Sequence, residues 1–336
     1  MKAAVHYGPR DIRVEEVEDP VIGPGEVLLR IRACGICGSD IHEYKLGLYP
    51  ELGAPVGVGK IMGHEYSGEV AALGQGVEGL KTGDRVVGLN PNNGGNAEFV
   101  KIPAMVRPLI LPVPPDITFE EAATNEPLAT SLHGVNLAEP KDNETIVVLG
   151  MGLIGLGVLQ CLKAMSKARI IAVDISDKRL DMARKLGADI VLDAKKEDPY
   201  QYVLKLTGST KIRYLEYPVP AVDTVIDCAG QSAESKGPPP LWQALQMVKQ
   251  DGKVVEVAVF EKNCELDLNI VMRKGIRLVG SWGWLPPEFV RALQLMSTHK
   301  VNRKPLITHT FPLAKAREAY ETQMNTREAI KVVILP

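Results

Sequence analysis

The stretch Thr145-Ile-Val-Val-Leu-Gly150-Met-Gly152-Leu-Ile-Gly155 decides the fold of this chain. Its aliphatic run predicts a strand buried on both faces, and the glycine turn after it opens an apolar segment typical of a helix. The next strand, Arg169-Ile-Ile-Ala-Val, ends in Asp174, at the spacing of about twenty residues that is typical of a dinucleotide-binding βαβ unit. This order of elements predicts a dinucleotide site.

The three glycines of the turn have different physical tasks. Gly150 allows the tight turn, Gly152 lets backbone N–H groups approach a pyrophosphate at the helix N-terminus, and Gly155 lets helix and strand pack closely. The alternative is that these glycines serve only helix–strand packing. The residues that we expect to contact the cofactor are Gly150, Gly152, Leu153, Ile154, Gly155, Asp174, Arg179, Cys228, Ala229, Gly230, Ser281 and Trp282.

The acid at the end of the second strand favours NAD over NADP. Asp174 is expected to accept hydrogen bonds from both hydroxyls of the adenosine ribose and to repel a 2′-phosphate. Lys178 and Arg179 argue the other way, because they could attract that phosphate. We give the acid more weight, since it ends the strand, and expect Arg179 to cover the adenine.

Strands and helices continue to alternate up to residue 280. Further strands are predicted near Ile190 and at 222–230, 253–259 and 276–280. Six strands joined by crossover helices predict an α/β fold with a doubly wound parallel sheet of the Rossmann type. Residues 211–220 interrupt the alternation and are interpreted as an inserted surface hairpin or subunit contact.

The segment before this sheet has a different pattern. Residues 2–102 consist of short alternating runs separated by turn residues, which predicts a small, partly closed β-barrel. Helix and strand patterns between 288 and 335 are expected to return and complete it. We therefore expect one domain from 1–127 and 283–336, and a nucleotide-binding domain at 128–282.

A candidate metal loop lies in the first domain, at Cys34-Gly-Ile-Cys-Gly-Ser-Asp-Ile-His42 followed by Gly63-His64-Glu65. A thiolate together with an imidazole suits zinc. Cys34 and Cys37 could also be half of a structural zinc knuckle or a thioredoxin-like redox pair. The other three cysteines are scattered singly, and the local pattern is strand into loop, so a catalytic metal loop is the leading interpretation.

Glu126 lies beside a proline at the end of a predicted helix. Thr118 can cap that helix with Glu121 completing a capping box, and the helix must stop at or before Pro127. From there the carboxylate of Glu126 can point into the first domain. The residues alone leave open whether Glu126 is a metal ligand or is solvated.

Composition places the chain among ordinary globular proteins. Its 336 residues are 45% apolar and 24% charged with a formal charge of -2, so two domains are expected and a nucleic-acid partner is not. Five cysteines without a disulfide pattern fit a reducing compartment. No apolar run reaches membrane-spanning length and no signal-peptide layout is visible; we expect a cytoplasmic protein without membrane contact.

From Met1 to Pro336 the chain resembles the zinc-dependent medium-chain alcohol and polyol dehydrogenases. Glu126-Pro-Leu, where simple alcohol dehydrogenases carry a cysteine, is similar to the sorbitol, butanediol and threonine dehydrogenase branch. The motifs that carry the resemblance are Cys37-Gly-Ser-Asp-Ile-His42, Gly63-His64-Glu65, Gly83-Asp-Arg-Val-Val87, Glu126-Pro-Leu128, the dinucleotide turn and Lys304-Pro-Leu-Ile-Thr-His-Thr-Phe-Pro-Leu313.

The resemblance implies a GroES-like barrel as the catalytic domain and one zinc ion beside NAD. It makes Cys37 and His64 zinc ligands, with Glu65 and Glu126 binding zinc directly or through water. Ser39 would hydrogen-bond the alcohol, and His42 would pass its proton towards solvent. The expected activity is hydride transfer between a secondary alcohol or polyol, or its ketone, and NAD(H), in a homodimer or homotetramer.

Two departures from the family pattern refine these expectations. The interval Val87–Asn96 has no cysteine where relatives with a structural zinc have four, so a second zinc is not expected. Ser281-Trp-Gly-Trp-Leu285 stands where sorbitol dehydrogenases place an arginine, which favours a more apolar pocket than a hexitol needs. The alternatives are a zinc-free quinone oxidoreductase on the same fold and a nucleotide-binding protein without catalytic activity.

Overall fold

The computed structural model describes residues 1–49, 54–55, 57–90, 93–212 and 215–336. The chain divides into two compact units. Unit 1 consists of residues 1–127 and 286–336, and unit 2 of residues 128–285. The second boundary falls after residue 285, whereas the sequence placed it after residue 282.

The first segment of unit 1 is rich in short strands, and a 3-10 helix at Ala104–Leu109 lies between β9 and β10. Its helices and strands are β1 (Lys2–Gly8), β2 (Asp11–Glu16), β3 (Val27–Gly35), α1 (Gly38–Leu46), β4 (Leu48–Tyr49), β5 (Ala54–Pro55), β6 (Lys60–Ile61), β7 (Glu65–Leu73), β8 (Arg85–Gly88), β9 (Phe99–Ile102), β10 (Leu111–Pro112) and α2 (Phe119–Ala122). The next helix, α3 (Asn125–Ala138), begins in unit 1 and continues into unit 2.

Unit 2 alternates strands with helices. Its elements are β11 (Thr145–Leu149), α4 (Leu153–Met165), β12 (Arg169–Asp174), α5 (Asp177–Lys185), β13 (Ile190–Asp193), α6 (Pro199–Thr207), β14 (Ser209–Thr210), β15 (Val219–Pro220), β16 (Val222–Asp227), α7 (Pro240–Met247), β17 (Val248–Glu256), α8 (Asn269–Lys274) and β18 (Arg277–Gly280). The chain then returns to unit 1 with α9 (Pro286–Ser297), β19 (Ile307–Pro312), α10 (Ala316–Met324) and β20 (Lys331–Leu335).

The C-terminal strands complete the main sheet of unit 1, as the sequence predicted. The strand order is β10-β8-β7-β3-β20-β19, and β9 also pairs with β3. Alternate side chains of β3, including Leu29 and Ile31, are buried, and each such side chain stabilises the core by about 1.5–3 kcal/mol. β20 pairs with β3 so that Ile334 lies opposite Cys34. The end of the chain therefore lies beside the segment that carries the two N-terminal cysteines.

Unit 2 is built on the predicted parallel sheet of six strands, in the order β13-β12-β11-β16-β17-β18. The central strands are aliphatic and fully buried, with Val147, Ile171, Val225 and Val254 in one core cluster. The order reverses between β11 and β16, and in such sheets ligands bind outside the carboxyl ends of the strands at this switch point. The glycine turn after β11 lies at that place.

Two sequence expectations about connecting segments are refined. The helix predicted to stop at or before Pro127 ends at Ala122, in agreement with that prediction, and α3 begins at Asn125, so Pro127 lies in the first turn of a new helix. Proline is tolerated there because the first-turn N–H groups have no intrahelical partner. The predicted 211–220 insertion is bounded by the antiparallel pair β14–β15, with 213 and 214 outside the described residues.

In the described part of the chain, no helix is long and apolar enough to cross a membrane.

Candidate metal centre and dinucleotide site

Three side chains of types that can bind a metal converge at the end of β3. Cys37 is the residue before α1, and Glu65 begins β7, which pairs with β3 so that Gly35 lies opposite Glu65. His64 directly precedes that strand. One ligand atom from each of Cys37, His64 and Glu65 lies within 4.8 Å of the other two. The antiparallel register of β3 and β7 thus brings together residues that are far apart in sequence.

The imidazole of His64 is oriented by two oxygen acceptors. Its Nδ1 lies 3.0 Å from Oδ1 of Asn93 and 3.6 Å from Oδ1 of Asp40. Because amide and carboxylate oxygens only accept hydrogen bonds, Nδ1 carries a hydrogen, which leaves Nε2 as the nitrogen that can bind a metal. Such an outer contact fixes the tautomer that a metal requires.

The electrostatics of the centre favour a cation. Burial alone would lower the pKa of His64, yet the charges of Asp40 and Cys37 outweigh burial and raise that pKa well above its ordinary value. Burial raises the pKa of the Cys37 thiol, and the nearby His64 acts in the opposite direction. A thiol becomes a thiolate when it coordinates a metal. The surplus of negative groups in a buried place is the environment that a divalent ion neutralises.

The two oxygens of Glu65 differ in their contacts. Its Oε2 pairs with the buried Lys331 of β20, and Lys331 also donates to the carbonyl of Ile36 at 2.7 Å. Its Oε1 is buried and, among the described residues, has no hydrogen-bond partner. A side chain at Gly35 would collide with this pair. A thiol, an imidazole and an unsatisfied carboxylate oxygen form a donor set that fits zinc.

In the glycine turn of unit 2, Gly150 and Gly155 lie close to neighbouring backbone, as the sequence predicts. Gly150 has φ +85°, and a Cβ there would lie 2.8 Å from the backbone of Ala229. A Cβ at Gly155 would collide with the carbonyl oxygen of Gly150. Gly152 precedes α4 with φ -69° and has open space, the nearest group being the Arg179 guanidinium. The first N–H groups of α4 can therefore bind a pyrophosphate.

Comparison with known proteins covers both units. Residues 23–110 match the family described as "Alcohol dehydrogenase GroES-like domain", and residues 154–298 match "Zinc-binding dehydrogenase". The chain is 30% identical to (R,R)-butanediol dehydrogenase of Bacillus subtilis, with 100% of each chain covered, and 30% identical to human sorbitol dehydrogenase, with 95% of this chain and 91% of that one covered. The chain belongs to the zinc-dependent medium-chain polyol dehydrogenase family.

A solved relative confirms the fold of this dehydrogenase over its whole length. The crystal structure of 2R,3R-butanediol dehydrogenase from Bacillus subtilis has a TM-score of 0.83 at 29% identity, covering 100% of this chain and 99% of that one. The GroES-like unit and the Rossmann-type unit predicted from the sequence are therefore confirmed. The protein is an oxidoreductase that acts on the CH–OH group of small-molecule alcohols.

Asp174 of this dehydrogenase accepts backbone hydrogen bonds that its position at a strand end did not predict. Its Oδ2 accepts from the N–H of Met151 at 2.6 Å, and its Oδ1 accepts from the N–H groups of Ile175 and Ser176, both at 2.7 Å. The carboxylate thus braces the glycine turn and the loop after β12. Burial lowers the pKa of Arg179, and the charge of Asp174 opposes that shift.

The other expected cofactor residues of the dehydrogenase lie at the same edge of the sheet. Leu153 and Ile154 begin α4. Cys228, Ala229 and Gly230 follow β16, and the N–H of Cys228 donates to the carbonyl of Leu149 at 2.8 Å. After β18, Ser281 donates its N–H to the carbonyl of Glu256 at 2.8 Å, and the side chain of Trp282 is exposed.

The remaining expected catalytic residues lie on two helices of the dehydrogenase. Ser39 and His42 are half-buried on α1, three residues apart and hence on one face of the helix. Glu126 is in the first turn of α3. It lies outside the group of three ligand atoms, but its negative charge contributes to the raised pKa of His64.

Sequence reasoning missed three residues that shape the metal centre. Asp40 belongs to the motif Cys37-Gly-Ser-Asp-Ile-His42, but no function was predicted for it. Its carboxylate accepts a hydrogen bond from the N–H of Cys37 at 3.0 Å and faces His64. Asn93 lies in a loop noticed only for its lack of cysteine. Lys331 could have been found, because a lysine inside the apolar segment 329–335 is unexpected.

Proposed function

We propose that this dehydrogenase transfers hydride between a secondary alcohol or polyol, or the corresponding ketone, and NAD(H), with one zinc ion per chain. The observation that carries the proposal is the convergence of the ligand atoms of Cys37, His64 and Glu65 within 4.8 Å, next to the helix that presents Ser39 and His42. A binding protein without catalytic activity has no need for such a set.

Each residue of the centre has its own task in this proposal. Cys37 and His64 bind the metal, while Glu65 and Glu126 bind it directly or through water. Zinc, when bound, lowers the pKa of the substrate hydroxyl, and the nicotinamide ring, when bound, accepts hydride at C4. Ser39 accepts a hydrogen bond from the substrate hydroxyl and takes its proton, and His42 moves that proton towards solvent. A histidine suits this last role because its ordinary pKa is about 6.5.

NAD is the proposed cofactor, in preference to NADP. Asp174 places a carboxylate at the end of β12, where a 2′-phosphate would meet a negative charge. Arg179 lies 3.9 Å from the position of a Cβ on Gly152 and is in part neutralised by Asp174, which supports a role over the adenine. A kcat/KM that is at least equal with NADP would contradict this assignment.

The proposed substrates are secondary alcohols and diols smaller than a hexitol. Gly283, with φ +59°, offers no polar group where an arginine would bind hydroxyls, and Trp282 beside it is apolar. The relatives named above act on butanediol and sorbitol, and these two substrates set the limits of the expected size range.

We further propose that the protein forms a homodimer or homotetramer, because β18 is an edge strand with Arg277 and Leu278 exposed. Light scattering on the purified protein measures the mass of the oligomer.

The test combines turnover with metal content. NADH formation, followed by near-ultraviolet absorbance, is measured with a panel of secondary alcohols, diols and hexitols. Cys37→Ala should lose zinc and activity together, whereas Cys264→Ala, which removes a half-buried cysteine outside the centre, should keep both. Full activity in a zinc-free Cys37→Ala protein, or reduction of quinones without any alcohol turnover, would favour the zinc-free alternative.

A further inference from the structure

Two acidic side chains meet at the carboxyl edge of the sheet in unit 2. Asp227 ends β16 and Glu256 ends β17, and the parallel register places them opposite each other. Asp227 is fully buried and Glu256 is half-buried. Each of the two side chains acts on the pKa of the other, as expected for close neighbours on adjacent strands. No step of the proposed reaction uses either residue.

Each carboxyl group uses one oxygen to hold the loop after its own strand. Asp227 Oδ1 accepts from the N–H groups of Ala229 at 2.8 Å and Gly230 at 3.4 Å. Glu256 Oε1 accepts from the N–H of Ala258 at 2.9 Å. The other two oxygens, Oδ2 and Oε2, are buried and receive no hydrogen bond from any donor in the described part of the chain. Oδ2 of Asp227 and Oε2 of Glu256 are therefore available to interact with each other.

Two buried carboxyl groups that face each other on adjacent strands are stabilised by a shared proton. Carboxylates that share a site cannot both ionise at ordinary pH, because their repulsion raises one pKa strongly. Burial raises the pKa of Asp227 to about 6, and burial together with the charge of Asp227 raises the pKa of Glu256 to about 9. The two groups titrate as a pair. At neutral pH the pair therefore holds one proton and one negative charge.

The surroundings offer the pair no cation. Within the residues that the structure describes, no lysine, arginine or histidine acts on either carboxyl group. The remaining titratable neighbour is Cys228, whose pKa is raised by burial and then by the charges of Asp227 and Glu256. Lys253 on the same strand is engaged with Glu139. The shared proton is thus what cancels the repulsion.

We propose that Glu256 is a positioning residue for the dinucleotide, because the proton it shares with Asp227 holds together the loops that follow β16 and β17. Residues 228–230 are among those assigned to the cofactor, so this inference rests on the proposed function. At alkaline pH the pair loses its proton, two negative charges repel each other, and the loops separate. Cofactor affinity then falls while the metal centre in unit 1 is unaffected.

The test measures the dissociation constant of NADH on the full-length, zinc-loaded protein between pH 7 and pH 10. Wild-type affinity should fall by up to about tenfold for each pH unit above the upper titration of the pair, as linkage of one proton requires. Glu256→Gln donates an amide N–H to Asp227 without a titrating proton. This variant should bind NADH about as well as wild type at pH 7 and should lose the alkaline fall.

Two further variants make the result decisive. Glu144→Gln changes a half-buried glutamate that accepts from the N–H of Lys141 at 3.1 Å, just before β11 at the amino end of the sheet, and it should keep the wild-type profile. Asp227→Asn, which can donate its amide to Glu256, should give the same flat profile as Glu256→Gln and replaces it if that protein does not fold. If Glu256→Gln or Asp227→Asn kept the wild-type fall in NADH affinity at alkaline pH, this inference would be wrong, whereas the proposed function would be unaffected. Absence of NADH binding at pH 7 in the wild type would overturn the proposed function and the inference with it.

Discussion

Asn93 is a single side chain on which the candidate metal centre depends for the orientation of His64. Its φ of +62° lies in the left-handed region, which asparagine tolerates better than most residues. Two backbone bonds, from Gly95 to Gly63 at 2.9 Å and from Asn96 to Met62 at 3.0 Å, fix its loop against the segment before His64. The amide oxygen of Asn93 is therefore held where His64 needs an acceptor.

Asn93→Ala should weaken zinc binding. Nδ1 of His64 would keep the longer contact to Asp40, and loss of an outer hydrogen bond of this kind typically costs about 10–100-fold in metal affinity. Competition with a chelator measures the dissociation constant of zinc. Asn90→Ala is the matched control, because that side chain lies in the same loop and donates to the carbonyl of Lys101 at 2.9 Å. Equal zinc affinity in the two variants would mean that Asn93 does not orient His64.

Ser39 and His42 should contribute unequally to the rate. Ser39→Ala removes the hydrogen bond to the reacting hydroxyl and should slow hydride transfer by about 10²-fold or more. His42→Ala removes only the group nearer to solvent, which water or buffer partly replaces. Its defect should be smaller, and added imidazole should partly restore the rate near neutral pH.

Pre-steady-state hydride transfer and zinc content, measured in both variants, decide how Ser39 and His42 act. Zinc content should remain that of the wild type, because neither residue is a proposed ligand. A His42→Ala protein depleted of zinc would show instead that His42 binds the metal.

At the scale of the element, the unit of β11, turn and α4 depends on one close approach. Gly155→Ala would push a methyl group into the carbonyl of Gly150 and should destabilise the protein by about 1–3 kcal/mol. Gly152→Ala meets open space at an ordinary φ, so its unfolding free energy should change by less than about 0.5 kcal/mol. NADH affinity should fall in both variants, since a methyl group at Gly152 lies on the path of the pyrophosphate.

Chemical unfolding and NADH titration separate these two effects. A Gly155→Ala protein as stable as Gly152→Ala would contradict the packing role of Gly155. Unchanged NADH affinity in Gly152→Ala would place the pyrophosphate elsewhere.

The elements that could be predicted from sequence are those with a strong local signal. Aliphatic strands, glycines at fixed spacing and the terminal acid identified the β11–α4–β12 unit, because each constraint acts within about thirty residues. The start of α3 at Asn125 was not predicted, since Pro127 excludes a helix interior but not a first turn. The pair of Lys331 with Glu65 and the pair of Asp227 with Glu256 depend on which strands become neighbours, and no local pattern encodes that.

The whole molecule should hold one zinc ion per chain. The interval Val87–Asn96 contains no cysteine, and in the described residues the only group of three or more histidine, cysteine or acidic side chains close enough for a metal is Cys37, His64 and Glu65. Elemental analysis of metal-replete protein should give one zinc per chain. Two tightly held zinc ions would reveal a second site.

The place of β20 in the sheet has a consequence for biosynthesis. The strand lies between β3 and β19, and its Lys331 pairs with Glu65, 266 residues earlier. The ribosome therefore synthesises the whole of unit 2 before β20, the last strand of unit 1. Until β20 has been synthesised, β3 has an open edge in the nascent chain, although unit 2 is already complete. Open strand edges attract other chains, so the nascent chain is prone to aggregation in this interval. Nonsense mutations just before Lys331 should spare the Rossmann-type unit and abolish the metal centre.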